Sequence, residues 1–95
     1  MEKLSEKQIN ERLEGLDYWD YSDGVLVTSL DFKNFTDAFS MMTRIAFEAE
    51  AQQHHPDWSN VYNNLTIRLN THDADGITEK DFKLAKTIED IIKGE

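Results

Sequence analysis

Apolar residues recur along this chain with two periods, about 3.6 residues in some stretches and two in others, and the switches between them mark the elements. Ser5-Glu6-Lys7-Gln8 has the form of a capping box, with Leu4 placed to pack on Ile9 as a staple. A short helix is therefore expected from Glu6, closed at Gly15. Tyr18-Trp19-Asp20-Tyr21 and the run from Val25 to Leu30 read as strands flanking the turn Asp23-Gly24, which makes a hairpin. Asn34, with Asp37 three residues on, opens a long helix. Its inner stripe is read as Phe35, Ala38, Phe39, Met42, Ile45, Ala46 and Ala49. Met41 and Phe47 stand off that stripe and either cover the helix flanks or meet a partner, with packing inside the chain the preferred reading. Pro56 must end the helix, because a residue before proline is pushed towards extended geometry.

Alternation by twos returns between Trp58 and Thr71, with Leu65, Ile67 and Leu69 on one face and Thr66, Arg68 and Asn70 on the other. Asn63-Asn64 is the expected turn between two strands. Thr78-Glu79-Lys80-Asp81 then starts a last helix whose inner positions are Phe82, Ala85, Ile88 and Ile92. The order is helix, two strands, helix, two strands, helix. It predicts an α+β fold of two layers, a four-stranded antiparallel sheet with helices packed on one face.

With 95 residues the chain makes one domain, residues 1–95, near the size at which a single core barely suffices, so a partner subunit is expected. There is no cysteine, which removes disulfides, thiolate nucleophiles and thiolate metal sites. The start Met1-Glu2-Lys3-Leu4-Ser5 lacks a basic segment followed by an apolar run, and no apolar stretch has spanning length. The expected compartment is the cytoplasm. A formal net charge of -9 works against phosphate backbones and anionic lipid, so neither nucleic acid nor membrane is an expected partner.

All three histidines fall between residues 50 and 81, at His54, His55 and His72. They are the side chains that titrate nearest neutral pH, so proton-transfer chemistry, if the chain performs any, belongs there. Glu50 lies one helical turn before His54, either as an ordinary helix pair or as an orienting carboxylate. Asp81 sits in the first turn of a helix, where it can cap without any catalytic part. Three imidazoles and a carboxylate could in principle bind zinc, but two histidines four apart on a helix are missing, and no metal is expected. Asp73-Ala74-Asp75-Gly76 hints at a calcium loop; aligning Gly76 to the loop glycine puts Thr71 at the first ligand and Phe82 at the twelfth, and the match fails. No Gly-x-Ser-x-Gly elbow and no phosphate-binding glycine loop is present. Cofactor-free proton transfer on a small molecule survives this elimination.

Glu50, three residues, His54-His55-Pro56, five residues, Tyr62, nine residues, His72, eight residues, Asp81: this spacing resembles the pterin-4a-carbinolamine dehydratase family. In animals the family is also known as the dimerisation cofactor of a homeodomain transcription factor. The similarity extends through Trp19, the Phe35 to Ala49 stripe, the run from His54 to Tyr62 and Gly76-Ile-Thr-Glu-Lys-Asp-Phe82. The resemblance implies a hydro-lyase that dehydrates 4a-hydroxytetrahydropterin to quinonoid dihydropterin, in tetrahydrobiopterin recycling, without cofactor or metal. It further implies His54, His55 and His72 as the catalytic group, His54 and His72 moving protons and His55 holding the pterin. Glu50 and Asp81 would orient the histidines, with Pro56 in the same motif, and Trp58 and Tyr62 would wall the pocket. Homodimers, or homotetramers built through the long helix, are implied as well. Ala74 stands where some animal members carry cysteine, and Gln53 where an acid is sometimes found, departures that bear on pocket polarity. The competing reading is a non-enzymatic dimerising or regulatory module on the same fold, coactivator-like, with the site vestigial.

Overall fold

A computed structural model describes residues 2–94 of the chain. Helix α1 spans Glu6–Leu13, β1 Asp20–Ser22, β2 Val25–Asp31, α2 Phe35–Gln52, β3 Asp57–Val61, β4 Asn64–Leu69 and α3 Glu79–Gly94, with a short 3-10 turn at His72–Ala74. The four strands form one antiparallel sheet in the order β1-β2-β4-β3. The two-layer α+β order read from the sequence is the observed one.

Register explains which residues meet the helices. Leu26 faces Leu69, Thr28 faces Ile67 and Leu30 faces Leu65 across the central pair, so the alternating apolar positions of both strands share one face. Leu26, Leu65, Ile67 and Leu69 are buried, and with Ile45, Ala49, Phe82, Ala85 and Ile88 they make the core between sheet and helices. Trp58 stands opposite Ile67 in β3 and packs against the same core.

Local chemistry sets most boundaries. The Ser5 hydroxyl accepts the Gln8 N–H and the Gln8 side chain accepts the Ser5 N–H, the expected reciprocal box. Asn34 caps α2 by accepting the Asp37 N–H at 2.8 Å. The turn between β1 and β2 places Asp23 and Gly24 both at positive φ, 51° and 81°, as a tight hairpin on a right-twisted sheet requires.

Four expectations need correction. α1 ends at Leu13 with Glu14 as its cap in ordinary right-handed geometry, so Gly15 follows the helix end without closing it in the left-handed form. The β3–β4 turn is Tyr62-Asn63, one residue earlier than predicted, because Val61 pairs with Asn64. Tyr62 carries the strain of that turn at φ 50°. The inner stripe of α2 is Ala38, Met41, Ile45 and Ala49, rotated by roughly 50° from the predicted one. Met41 is core, while Phe35, Phe39 and Phe47 are 47%, 56% and 73% exposed.

Candidate functional site

The end of α2 places the first histidine. Gln53 adopts the left-handed conformation at φ 54°, its N–H reaches back to the Glu50 carbonyl at 3.1 Å, and the His54 N–H reaches the Ala49 carbonyl at 3.1 Å. These two bonds are a Schellman closure, which satisfies the last carbonyls and turns the chain off the helix axis. His54 therefore leaves the helix surface and points its ring towards α3. There Nε2 lies 2.6 Å from Asp81 Oδ1, with His54 9% and Asp81 0% exposed.

Asp81 is positioned just as firmly. It occupies the first turn of α3, and its Oδ2 accepts the Thr78 N–H at 2.9 Å, closing the cap from inside the helix. The same oxygen accepts the Thr71 hydroxyl at 2.8 Å, and the hydroxyls of Thr71 and Thr78 are 2.8 Å apart. Thr71 and Thr78 are themselves buried. A buried carboxylate is tolerable only when its oxygens are satisfied, and here the Thr78 N–H, the Thr71 hydroxyl and one imidazole do so.

The other two histidines are placed differently. His55 projects outward and pairs with Glu50 at 2.8 Å, the side chains 62% and 72% exposed. Glu50 thus partners His55, not His54: the closure of α2 removes His54 from the surface on which an i, i+4 pair would form. His72 is exposed and opens the 3-10 turn beyond the end of β4, rather than ending the strand itself. The buried Thr71 beside it ties that turn down, pairing with Gly76 through the backbone. Pro56 is half-buried and leads directly into β3. Tyr62, at the hairpin tip, is 63% exposed and stands clear of the core that Trp58 joins.

His54 forms one wall of a cleft of about 270 Å³ between the end of α2 and the start of α3, with Gln52, Glu79, Lys80 and Lys83 around it. The hydrogen bond from the Arg12 guanidinium holds the Glu79 carboxyl below the usual carboxylate range, so Glu79 is a charged rim. A larger cleft of about 530 Å³, bordered by Asp31, Phe32, Asp37, Ser40, Met41, Arg44 and Ile92, contains none of the histidines. Among the described residues no group of three or more His, Cys, Asp or Glu is arranged to hold a metal ion, and no helix is long and apolar enough to cross a membrane.

The sequence pattern for Pterin 4 alpha carbinolamine dehydratase matches residues 2–91 of the chain. The chain belongs to this family. A curated relative from Christiangramia forsetii, provisionally named a pterin-4-alpha-carbinolamine dehydratase, is 61% identical over 93 residues, covering 98% of this chain and 96% of that protein. One with the same provisional name from Prochlorococcus marinus is 47% identical and covers 93% of this chain and 92% of its own. Among solved structures, one described as a transcriptional coactivator/pterin dehydratase from Brucella melitensis superposes with a TM-score of 0.90 at 40% identity, covering 94% of this chain and 97% of that chain.

Sequence reasoning did not single out Thr71 or Glu89. Thr71 was one polar residue in a strand pattern, and its position next to His72 was the available signal. Glu89 is 1% exposed and accepts the N–H groups of Asp17 and Tyr18, which fastens α3 to the segment before β1. Its spacing of seven from Phe82 placed it on the inner face of α3.

Proposed function

We propose that the protein is a dehydratase of 4a-hydroxytetrahydropterins, acting in tetrahydropterin recycling by histidine acid/base catalysis. The observation that carries the reading is the buried contact between His54 Nε2 and Asp81 Oδ1, within a family whose pattern spans nearly the whole chain. The elimination breaks the bond from C4a to the hydroxyl oxygen, forms a C4a=N5 double bond, and releases the N5 proton. One proton goes to the departing hydroxyl and one comes from N5, so the sum is loss of water with no change of oxidation state. Two imidazoles near neutral pH can carry both transfers.

His54 suits one of them. An ionised carboxylate accepts only, so Asp81 holds the Nε2–H tautomer of His54 and leaves Nδ1 as the nitrogen that exchanges a proton. The charge of Asp81 then balances the imidazolium formed in the transfer, the part a buried aspartate plays beside a catalytic histidine. His72 is assigned the second transfer and His55, oriented by Glu50, the polar edge of the pterin. Pro56, Trp58 and Tyr62 are assigned to the site from the family pattern alone. Assembly into dimers or tetramers through the exposed flank of α2, and a cytoplasmic location, belong to the same proposal.

The test is the rate of quinonoid dihydropterin formation from 4a-hydroxytetrahydropterin generated in situ. Wild-type protein is expected to accelerate it and His54→Ala to lose roughly 10²–10⁴ of that acceleration. No acceleration by folded wild-type protein would overturn the reading and put the regulatory binding module first, the role named beside the dehydratase in the description of the Brucella structure.

A further inference from the structure

The hydroxyl protons around Asp81 can be placed from the bonding pattern alone, and their placement singles out Thr71. Asp81 as a carboxylate can only accept, so the 2.8 Å contact from Thr71 to Oδ2 uses the one proton Thr71 has. In the 2.8 Å contact between the hydroxyls of Thr71 and Thr78 the donor must then be Thr78. The Thr78 oxygen in turn accepts the Lys80 N–H at 3.2 Å. Every donor in this chain runs one way, from the first turn of α3 through two hydroxyls to the carboxylate, leaving Oδ1 to the ring of His54. Reversing any one bond would put two protons between one pair of oxygens or leave a buried hydroxyl unpaired, which costs more than the bond contributes.

Thr71 is also the base of the turn that carries His72. Its N–H donates to the Gly76 carbonyl at 2.8 Å, and its carbonyl accepts from Ala74 at 3.1 Å and Gly76 at 3.4 Å. One residue therefore joins the Asp81–His54 pair through its side chain to the second exposed imidazole through its backbone.

We propose that Thr71 is a positioning residue of the dehydration site. Its hydroxyl, donating to Oδ2, holds the Asp81 carboxylate oriented with Oδ1 on the His54 ring, and its backbone holds His72 at a fixed offset from that pair. The catalytic half rests on the dehydratase reading; the proton arrangement does not.

The decisive comparison is Thr71→Val, which keeps the shape and removes the hydroxyl, against Thr71→Ser, which keeps the hydroxyl. Both are measured where circular dichroism shows them folded, with Thr71→Ala, which adds no bulk, replacing valine if that variant fails to fold. Loss of a donor to a charged, buried acceptor predicts kcat lowered about ten- to a hundredfold in Thr71→Val, KM changed less than about twofold, and recovery in Thr71→Ser. A readout independent of turnover is the ring nitrogen spectrum of uniformly 15N-labelled protein, with His54 assigned by its loss in His54→Ala. All three proteins are expected to show the Nε2–H tautomer that the carboxylate imposes, with faster exchange of that proton in Thr71→Val than in the wild type or Thr71→Ser, because the carboxylate has lost its fixed orientation. Exchange of that proton as slow in Thr71→Val as in the wild type would overturn the positioning role of the hydroxyl. Equal impairment of the serine and valine variants would overturn it too, since the methyl group and not the hydroxyl would then be responsible. An inactive wild type would overturn the dehydratase reading and the catalytic half of this proposal together, while the proton exchange would still decide whether the hydroxyl positions the carboxylate.

Discussion

At the scale of single residues, one carboxylate serves two structures. Asp81 caps α3 through the Thr78 N–H and holds His54 through its other oxygen. Substitutions at this position therefore separate folding from chemistry. Asp81→Ala leaves a buried imidazole, the buried Thr71 hydroxyl and the Thr78 N–H without their acceptor, and urea unfolding is expected to show a loss of about 3–5 kcal/mol. Asp81→Asn can still accept from Thr78 and Thr71 with its oxygen, but its amide then donates to His54 and imposes the opposite tautomer. Stability is expected to fall by less than in the alanine variant, and kcat/KM for the pterin by roughly 10²–10⁴. An asparagine variant with activity within a few-fold of wild type would refute the assigned proton path. His55→Ala makes the contrast: its partner Glu50 is as exposed as itself, so unfolding should change by less than about 1 kcal/mol. A raised KM with kcat held is the kinetic change expected there. The residue types at the site were legible in the sequence, and so was the cap at Asp81. The partnership of His54 with Asp81 was not, because helical spacing assigns Glu50 to His54, and only the left-handed Gln53 takes His54 out of reach of that rule.

Elements were legible wherever a local signal acted alone. Ser5 with Gln8, Asn34 with Asp37 and Asp23-Gly24 each contain their own reason, and each lies where it was read. The stripe of α2 was not legible, since apolar composition marks every face that escapes water, including faces that the rest of the chain does not cover. Phe35 and Phe39 stack at 5.9 Å between centroids on that uncovered flank, and the predicted stripe was drawn towards them. The same locality makes the β1–β2 turn a clean test of backbone cost. Gly24 sits at φ 81° with nothing within 4 Å of where a Cβ would stand, so Gly24→Ala meets no neighbour and only the conformational penalty remains. A loss of about 1–2 kcal/mol in urea unfolding, with dehydration kinetics unchanged, is the expected result. A variant as stable as wild type would mean the turn relaxes at no cost.

For the whole molecule the governing quantity is charge. With a formal net charge of -9, the pairs that join distant segments lie where positive side chains meet this excess: Arg12 of α1 with Glu79 of α3, and Lys93 of α3 with Asp17. Hydrogen bonds from Arg12 and Lys93 hold the Glu79 and Asp17 carboxyls below their ordinary values of 4.5 and 3.8. A carboxyl lowered in the folded state stabilises fully above its ordinary value and loses that contribution as pH falls through the lowered one. Arg12→Ala should accordingly lower stability at pH 7, by less than about 1 kcal/mol for so exposed a pair, and the gap from wild type should narrow as pH falls below 4.5. A gap that does not narrow as pH falls below 4.5 would assign the effect to the packing of Arg12 over the Phe82 ring, 4.8 Å away, and not to the ion pair. The same excess of charge opposes association between copies, so apolar contact must supply what holds an assembly together. Phe39 and Phe47 are the exposed aromatic rings of α2 furthest from the capped start of the helix. Phe39→Glu and Phe47→Glu remove apolar area and add repulsion at once, and light scattering is expected to report a smaller particle for one or both than for wild type, with the wild-type mass rising as salt screens the charge. Equal mass in all three proteins would exclude this flank of α2 as the contact between subunits.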